Sequence, residues 1–212
     1  MELDSKKGLY RSIYLTVFLC LFSLLIQEAA PIKWLGFASL LMAGFWIGII
    51  QIFHPKAVFD VQLWRLKKSK IWVLLISVFI ALAVAIYSRW EDGFPFIPLS
   101  IGSFVMVAVS IGFIEELVFR GYIQGAAGYW NPKWAILISA VAHAGYKACL
   151  FVLPEQTIYN TPLELFLYTG IAGILFGFSR YLSGSLWPCI AAHCIFDFWV
   201  YMEQPSAPWW VW

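Results

Sequence analysis

The chain has 212 residues, of which 62% are hydrophobic and 12% are charged, and its formal net charge at pH 7 is +2. Soluble domains carry about a quarter charged residues, so this composition argues against a soluble protein and favours a polytopic membrane protein. The small net charge argues against nucleic acid as a partner. Aromatic residues reach 19%, which is typical of side chains at the membrane interface, in contact with lipids.

Apolar stretches of about twenty residues, the length of helix that crosses the hydrocarbon core, recur along the whole chain. Turn-forming or charged residues separate them, as at Pro31, in the basic run 56–70 and at Asn131-Pro132. Because no linker or internal repeat interrupts the pattern, residues 1–212 are predicted to form a single transmembrane domain. The predicted fold class is an all-α polytopic membrane protein with about seven transmembrane helices. The predicted spans cover residues 11–29, 34–54, 71–88, 97–117, 133–153, 163–181 and 186–203.

The distribution of Lys and Arg predicts the orientation, because the cytoplasmic loops of membrane proteins are enriched in both. If the N-terminus is cytoplasmic, nearly all basic residues lie at that face and only Lys33 and Arg89 lie opposite. The sequence therefore predicts an N-in, C-out protein. The first span also resembles a signal peptide, but it leads directly to a second span, which favours a retained anchor. We expect an integral, multi-pass membrane protein, and the compact length is more typical of a prokaryotic cell membrane.

Ionisable residues lie inside three of the predicted spans, where they are costly and usually line a polar cavity. At about 1.5 Å rise per residue, they fall at similar depth, near the cytoplasmic end of each span. We therefore expect a single polar cavity that opens to the cytoplasm. The residues are Glu115 and Glu116 at the end of the fourth span with Arg120 just beyond it, His143 in the fifth span, and His193 and Asp197 in the seventh.

The spacing of these residues predicts which of them act in the site and which support it. Glu116 precedes Arg120 by four residues, the favourable order for an ion pair on a helix, and Glu115 is then left to face the cavity. His193 and Asp197 also share one helical face. Glu116 and Arg120 are therefore expected to support the site, and Glu115 to act in it.

Two chemistries remain open for such a set. In the first, His143, His193 and Asp197, or Glu115 in place of the aspartate, bind Zn²⁺ or another divalent metal with an open position for water. In the second, no metal is needed: Glu115 takes a proton from water while the histidines orient the water or stabilise an oxyanion.

Lys147 lies one helical turn beyond His143, on the same face of the predicted fifth span. Its side chain has two options in a membrane. It can enter the polar cavity and pair with a carboxylate, or it can extend toward the interface and keep its ammonium group in water. The spacing leaves both open.

These motifs resemble those of the CAAX protease and bacteriocin-processing family of intramembrane proteases, also called CPBP or Abi. Its EExxxR motif matches Glu115 to Arg120, and its HxxxN or HxxxD motif matches His193 to Asp197. Its FxxxH motif matches at His143, with Ser139 where the family has Phe. The resemblance covers a catalytic core at residues 98–203.

The resemblance implies that Glu115 and His143 activate water and that His193 and Asp197 stabilise the oxyanion. An ionised aspartate would repel an oxyanion, so Asp197 is expected to be protonated, to orient His193 or to bind a metal. The implied function is that of an intramembrane endopeptidase, a metalloprotease or a glutamate-dependent enzyme. Its implied substrates are membrane-associated peptides or proteins, either prenylated CAAX-like or bacteriocin-type.

Two other classes of function fit part of the pattern. Chains of Glu, His and Asp also form the proton relays of coupled transporters, and a member of the family without activity could serve as an immunity or scaffold protein that binds a membrane peptide. The polar residues cluster near one face, and no repeat symmetry of the transporter kind is visible. The intact Glu115, His143 and His193 argue against an inactive scaffold.

Overall fold

The computed structural model describes residues 2–28, 44–45, 65–149 and 162–203. Within these ranges every regular element is helical, which confirms the predicted all-α class for this part of the chain. A short 3₁₀ turn, Lys68–Lys70, leads into the second helix. The helices are α1 (Glu2–Glu28), α2 (Ile71–Glu91), α3 (Val105–Glu115), a π-helical segment (Glu116–Ile123), α4 (Gln124–Gly128), α5 (Pro132–Cys149), α6 (Pro162–Ser183) and α7 (Trp187–Tyr201).

The stretch from Val105 to Gly128 is one continuous helix with a widened turn in its middle. Backbone angles remain helical at both junctions, with φ −66° and ψ −35° at Glu116 and φ −64° and ψ −37° at Gln124. The Gln124 N–H donates to the carbonyl of Phe119, five residues earlier, as in a π-helix. Such turns are rare and frequently occur at functional sites. Here the π-helical segment contains Glu116 and Arg120.

The predicted fourth span, residues 97–117, was wrong at both ends. The helix begins at Val105 and continues to Gly128. Pro95 and Pro98 favour extended backbone in the residues before them, so residues 94–104 form an irregular segment that leads into the helix. At the other end the charged residues do not end the helix, because they bond to groups inside the protein.

Three described helices are long and apolar enough to cross a membrane: Lys6–Leu24, Lys68–Glu91 and Pro162–Ser183. Large apolar side chains on α2 point outward, with Leu75 63% and Phe79 72% exposed. The charged residues of the predicted cavity are instead buried, the arrangement expected of a protein surrounded by lipid. The predicted second span, 34–54, lies almost entirely outside the described residues, so the number of seven spans and the N-in orientation stay predictions.

Close packing of small residues brings the polar helices together. α5 packs along α6, and a Cβ at Gly173 would lie only 2.9 Å from the Ala140 Cα, so a larger residue would separate the two helices. α1 crosses the π-helical segment, where the Ser12 hydroxyl donates to the Ile123 carbonyl at 3.1 Å. α7 packs against both α2 and α3. The long helix is thus enclosed by the elements that carry the histidines.

A buried arginine fixes the far end of α7. Arg89, 1% exposed at the end of α2, donates from Nε to the Pro95 carbonyl at 2.9 Å and from Nη1 to the Trp199 carbonyl at 3.1 Å. It also forms an ion pair with Glu203, whose other oxygen accepts the Leu99 N–H at 2.8 Å. These bonds join the ends of α2 and α7 to the segment that precedes α3.

Candidate active site

Glu115 lies at the centre of the polar cluster and is 1% exposed. Its Oε2 atom is 3.2 Å from His143 Nε2 on α5 and 3.8 Å from His193 Nε2 on α7. Its Oε1 atom is 2.6 Å from the ammonium of Lys147, one turn beyond His143. The structure therefore brings Glu115, His143 and His193 together. Of the two options for Lys147, the pairing with a carboxylate is the one observed.

Glu116 connects the remaining predicted residues. Its Oε1 atom accepts hydrogen bonds from Arg120 Nη1 at 2.8 Å and from His193 Nδ1 at 2.9 Å. The predicted ion pair between Glu116 and Arg120 is present, and both side chains are fully buried. Adjacent residues on a helix point about 100° apart, so Glu115 contacts α5 while Glu116 contacts the ring of His193.

The partners of His143 determine which ring nitrogen carries its proton. Arg120 Nη1 lies 2.9 Å from His143 Nδ1, and a guanidinium group can only donate. Nδ1 is therefore the acceptor, and the ring donates its Nε2–H to Glu115. The result is a neutral imidazole that is held from both sides, by a cation at one nitrogen and a carboxylate at the other.

His193 has the opposite arrangement. Its Nδ1 faces the Glu116 carboxylate, which can only accept, so Nδ1 carries a proton. Its Nε2 then faces Glu115 Oε2 at 3.8 Å and Asp197 Oδ2 at 3.7 Å. These separations exceed direct hydrogen bonds, so a water molecule can join Glu115 Oε2 and His193 Nε2 from the side. The edge that these two atoms share is thus the place where a reactive water can contact both.

Asp197 reaches this space because the long helix has a glycine opposite it. A Cβ at Gly112 would overlap Asp197 Oδ2 and lie 3.2 Å from His193 Cδ2. Gly112 is one turn before Glu115, on the helix face that α7 crosses. The absence of a side chain there allows the carboxylate and the imidazole to approach the helix backbone.

The comparison with known families bears on this arrangement of residues. The profile described as type II CAAX prenyl endopeptidase Rce1-like matches residues 97–199, which contain all three motifs. This segment is an Rce1-like domain of the CPBP family. The resemblance inferred from the motifs is confirmed, and the family is one of proteases. No curated protein and no solved structure matched the chain.

The residues of the Rce1-like domain do not fit a zinc site in this arrangement. A metal-bound histidine normally donates its second N–H to a carboxylate or carbonyl, but His143 accepts at Nδ1 from Arg120, and its Nε2 donates to Glu115. In the described part of the chain, no three His, Cys, Asp or Glu side chains are grouped so that they could hold a metal ion. The metal set of His143, His193 and Asp197 would require His143 to give up both of these bonds.

Aromatic rings of the Rce1-like domain support both histidines. Phe119 stacks on His143 with ring centroids 4.4 Å apart, and Phe176 stacks on His193 at 5.3 Å. Ser139 stands where the family has Phe, and its hydroxyl donates to the Phe119 carbonyl at 2.8 Å. The ring that packs on His143 thus comes from the first motif in this chain, and Ser139 holds the backbone behind that ring.

Sequence reasoning missed Gly112, Phe119 and Phe176 as parts of the site. Helical spacing could have indicated Gly112, which is three residues before Glu115 and shares its face. Phe119 lies within the EExxxR motif, but its contact with α5 depends on the π-helical segment. Phe176 is one of many aromatic residues in apolar spans, and no sequence signal distinguishes it.

Proposed function

We propose that this protein is an intramembrane endopeptidase that hydrolyses peptide bonds of membrane-associated peptides or proteins, with Glu115 as the general base. One observation carries the proposal: a buried carboxylate lies within 3.2 and 3.8 Å of two imidazole nitrogens inside a helical membrane protein. Membership of the domain in a family of CAAX-type endopeptidases supports the same reaction class.

The reaction begins with a water molecule between Glu115 Oε2 and His193 Nε2. Glu115 takes a proton from this water while the water oxygen attacks the scissile carbonyl carbon. The π electrons of the carbonyl move onto the substrate oxygen. When the tetrahedral intermediate collapses, the C–N bond breaks and Glu115 returns the proton to the leaving amine. Acid–base catalysis of this kind contributes about 10²–10⁴-fold.

The other residues keep the base and the water in place. The Nε2–H of His143 donates to Glu115 and orients its carboxylate, while Arg120 holds the His143 ring. Glu116 holds His193 through Nδ1 so that Nε2 faces the water. Asp197 faces the same nitrogen and orients the imidazole from the other side. In this scheme Zn²⁺ is not required.

The substrate is proposed to be a peptide that reaches the cavity from the cytoplasmic side of a prokaryotic cell membrane. Lys147 and His193 lie at the entrance of the cluster, because their side chains are 20% and 12% exposed. The side chains of Glu115, Glu116 and Arg120 are at most 1% exposed. A prenylated CAAX-like chain end and a bacteriocin-type peptide are the two substrate types in view.

Comparing Glu115→Gln with the wild type tests the proposal. Membranes from deletion cells that carry either form are compared by quantitative mass spectrometry of protein termini. Glu91→Gln, which alters an exposed carboxylate at the end of α2, is the matched control. The expected result is a set of membrane-proximal cleavages present with the wild type and the control and absent with Glu115→Gln. Unchanged termini, with equal rescue of the deletion phenotype by both forms, would instead favour transport or peptide binding.

A further inference from the structure

The charges around the candidate site fall into pairs. Glu116 pairs with Arg120 at 2.8 Å, and Glu115 pairs with Lys147 at 2.6 Å. Asp197 has the imidazole of His193 at 3.7 Å as its neighbour. The site thus contains three carboxyl groups, and of the two cations paired with them Lys147 is the one at the entrance.

Hydrolysis of a peptide bond places a negative charge on the substrate oxygen, and this charge needs donors that are already in position. Asp197 as a carboxylate can only accept. The His143 Nε2–H is committed to Glu115, and the His193 Nδ1–H is committed to Glu116. Of the ring nitrogens not yet engaged, His193 Nε2 lies on the side of the water, next to the carboxylates of Glu115 and Asp197, so a further cation there would offset their charge.

Arg120 is also placed away from the reacting atoms. Its Nη1 binds Glu116 and His143, and the guanidinium lies over the Phe176 ring at 5.3 Å. Its Nη2 points toward α6, where a Cβ at Gly173 would lie 3.0 Å from it. Arg120 therefore stabilises the cluster from behind and does not face the entrance.

Lys147 has the position that the reaction requires. An ammonium group has three N–H donors, and the Lys147 Nζ atom lies 2.6 Å from Glu115 Oε1 as an ion pair. The reacting water belongs at Oε2 of the same carboxylate, near His193. The Lys147 ammonium is therefore a cation beside the same carboxylate that would activate the water, close to where an attacked carbonyl would be held.

We propose that Lys147 is a catalytic residue that binds the oxyanion of the tetrahedral intermediate. The inference rests on the proposed hydrolysis by Glu115. As the water oxygen bonds to the carbonyl carbon, the π electrons move to the substrate oxygen, and a Lys147 N–H donates to that oxygen without transferring its proton. When the C–N bond breaks, the electrons return to form the C=O bond, and Lys147 again binds Glu115 alone.

The same geometry predicts an energetic coupling between Lys147 and Asp197. The Asp197 carboxylate adds negative charge beside the developing oxyanion, and the Lys147 ammonium offsets it. With methionine at position 147, the charge at Asp197 opposes the reaction, whereas an asparagine amide at 197 can donate to the oxyanion. Asp197→Asn should therefore recover part of the activity that a neutral residue at 147 removes.

The test measures kcat and KM of the full-length protein in proteoliposomes, with a fluorogenic peptide that carries a prenylated CAAX-like C-terminus. The variants are Lys147→Met, Lys147→Arg and Lys147→Met combined with Asp197→Asn. Lys133→Met, an exposed lysine at the start of the same helix, is the matched control. Size-exclusion profiles and thermal unfolding establish that each variant is folded.

We expect Lys147→Met to lower kcat about 100-fold, the loss typical of one oxyanion donor, with KM changed only slightly. Lys147→Arg, which keeps the charge, should retain at least about 10% of the wild-type kcat, and the double variant should exceed Lys147→Met at least about tenfold. A purely structural lysine would not give rescue by Asp197→Asn. A folded Lys147→Met with kcat near the wild-type value, or a double variant no faster than the single one, would overturn the inference.

Glu115→Gln in the same assay separates the two proposals. If Glu115→Gln is inactive while Lys147→Met is fully active, the base is supported and the oxyanion role is rejected. If Glu115→Gln cleaves the peptide at the wild-type rate, the proposed function itself fails.

Discussion

Replacing Gly112 with Ala tests how closely the reaction depends on the position of α7. The added Cβ would overlap Asp197 Oδ2 and lie 3.2 Å from His193 Cδ2 and 3.3 Å from His193 Cγ. Relaxed contacts between carbon atoms are about 3.5–4.0 Å. The imidazole must therefore move by a few tenths of an ångström, and the carboxylate by roughly one ångström.

The expected loss of activity follows from that displacement. A shift of about 1 Å in a catalytic group costs about 100-fold in rate, which corresponds to about 2.7 kcal/mol in the activation free energy. The effect on the free energy of unfolding should be smaller, because overpacking costs about 1–3 kcal/mol and Ala is favoured over Gly in a helix by up to about 1 kcal/mol. Gly112→Ala should thus be folded and slow.

The assay is peptide cleavage in proteoliposomes, with the thermal unfolding temperature measured on the same preparations. Gly128→Ala is the matched control, since it lies in the same long helix and an added Cβ there meets nothing within 4 Å. We expect the control to keep its rate and Gly112→Ala to lose between about 10- and 100-fold in kcat. A folded Gly112→Ala protein with the wild-type kcat would refute the reasoning, since the positions of His193 and Asp197 would then be irrelevant to the rate.

Three further predictions concern the metal, the support of His193 and the backbone behind Phe119. Prolonged treatment with EDTA and 1,10-phenanthroline should leave the rate unchanged, because His143 is bonded at both ring nitrogens; a loss restored by added Zn²⁺ would contradict this. Glu116→Gln should lower kcat at least about tenfold, because the glutamine amide binds the His193 Nδ1–H less strongly than a carboxylate does. A pH–rate profile identical to that of the wild type would count against this role. Ser139→Phe should unfold at a temperature several degrees below that of the wild type, because overpacking a fully buried site costs about 1–3 kcal/mol. Ser139→Ala should lose only one hydrogen bond, about 1 kcal/mol. Equal unfolding temperatures for Ser139→Phe and the wild type would show that the site has room for the ring.

The sequence was sufficient to predict the residues that meet and the ion pair between Glu116 and Arg120, because i,i+4 spacing and motif order are local properties. It did not predict the π-helical segment, since no residue in it is a recognised signal for a widened turn. The start of the long helix was also missed, because the apolar residues 97–104 resemble part of a span. Pro95 and Pro98 keep these residues out of the helix, so the helix begins later in the chain than predicted. Arg89 was placed only at the face opposite the N-terminus, and its burial depends on carbonyl groups of distant residues that sequence cannot bring together.

The two adjacent glutamates explain how so much charge is tolerated inside a membrane protein. Because Glu115 and Glu116 point in different directions from the same turn, each carboxylate has its own cation, Lys147 or Arg120, and neither is left unpaired where charges are costly. His193 bridges the two, with Nδ1 on Glu116 and Nε2 facing Glu115. In the proposed mechanism, the proton moves at Glu115 next to a ring whose orientation is set by Glu116, so the second glutamate would influence the reaction without touching the substrate. This coupling implies that Glu115→Gln and Glu116→Gln combined should slow cleavage by less than the product of the single effects, since both act on the same water. Rates that multiply in the double variant would mean that the two carboxylates act independently.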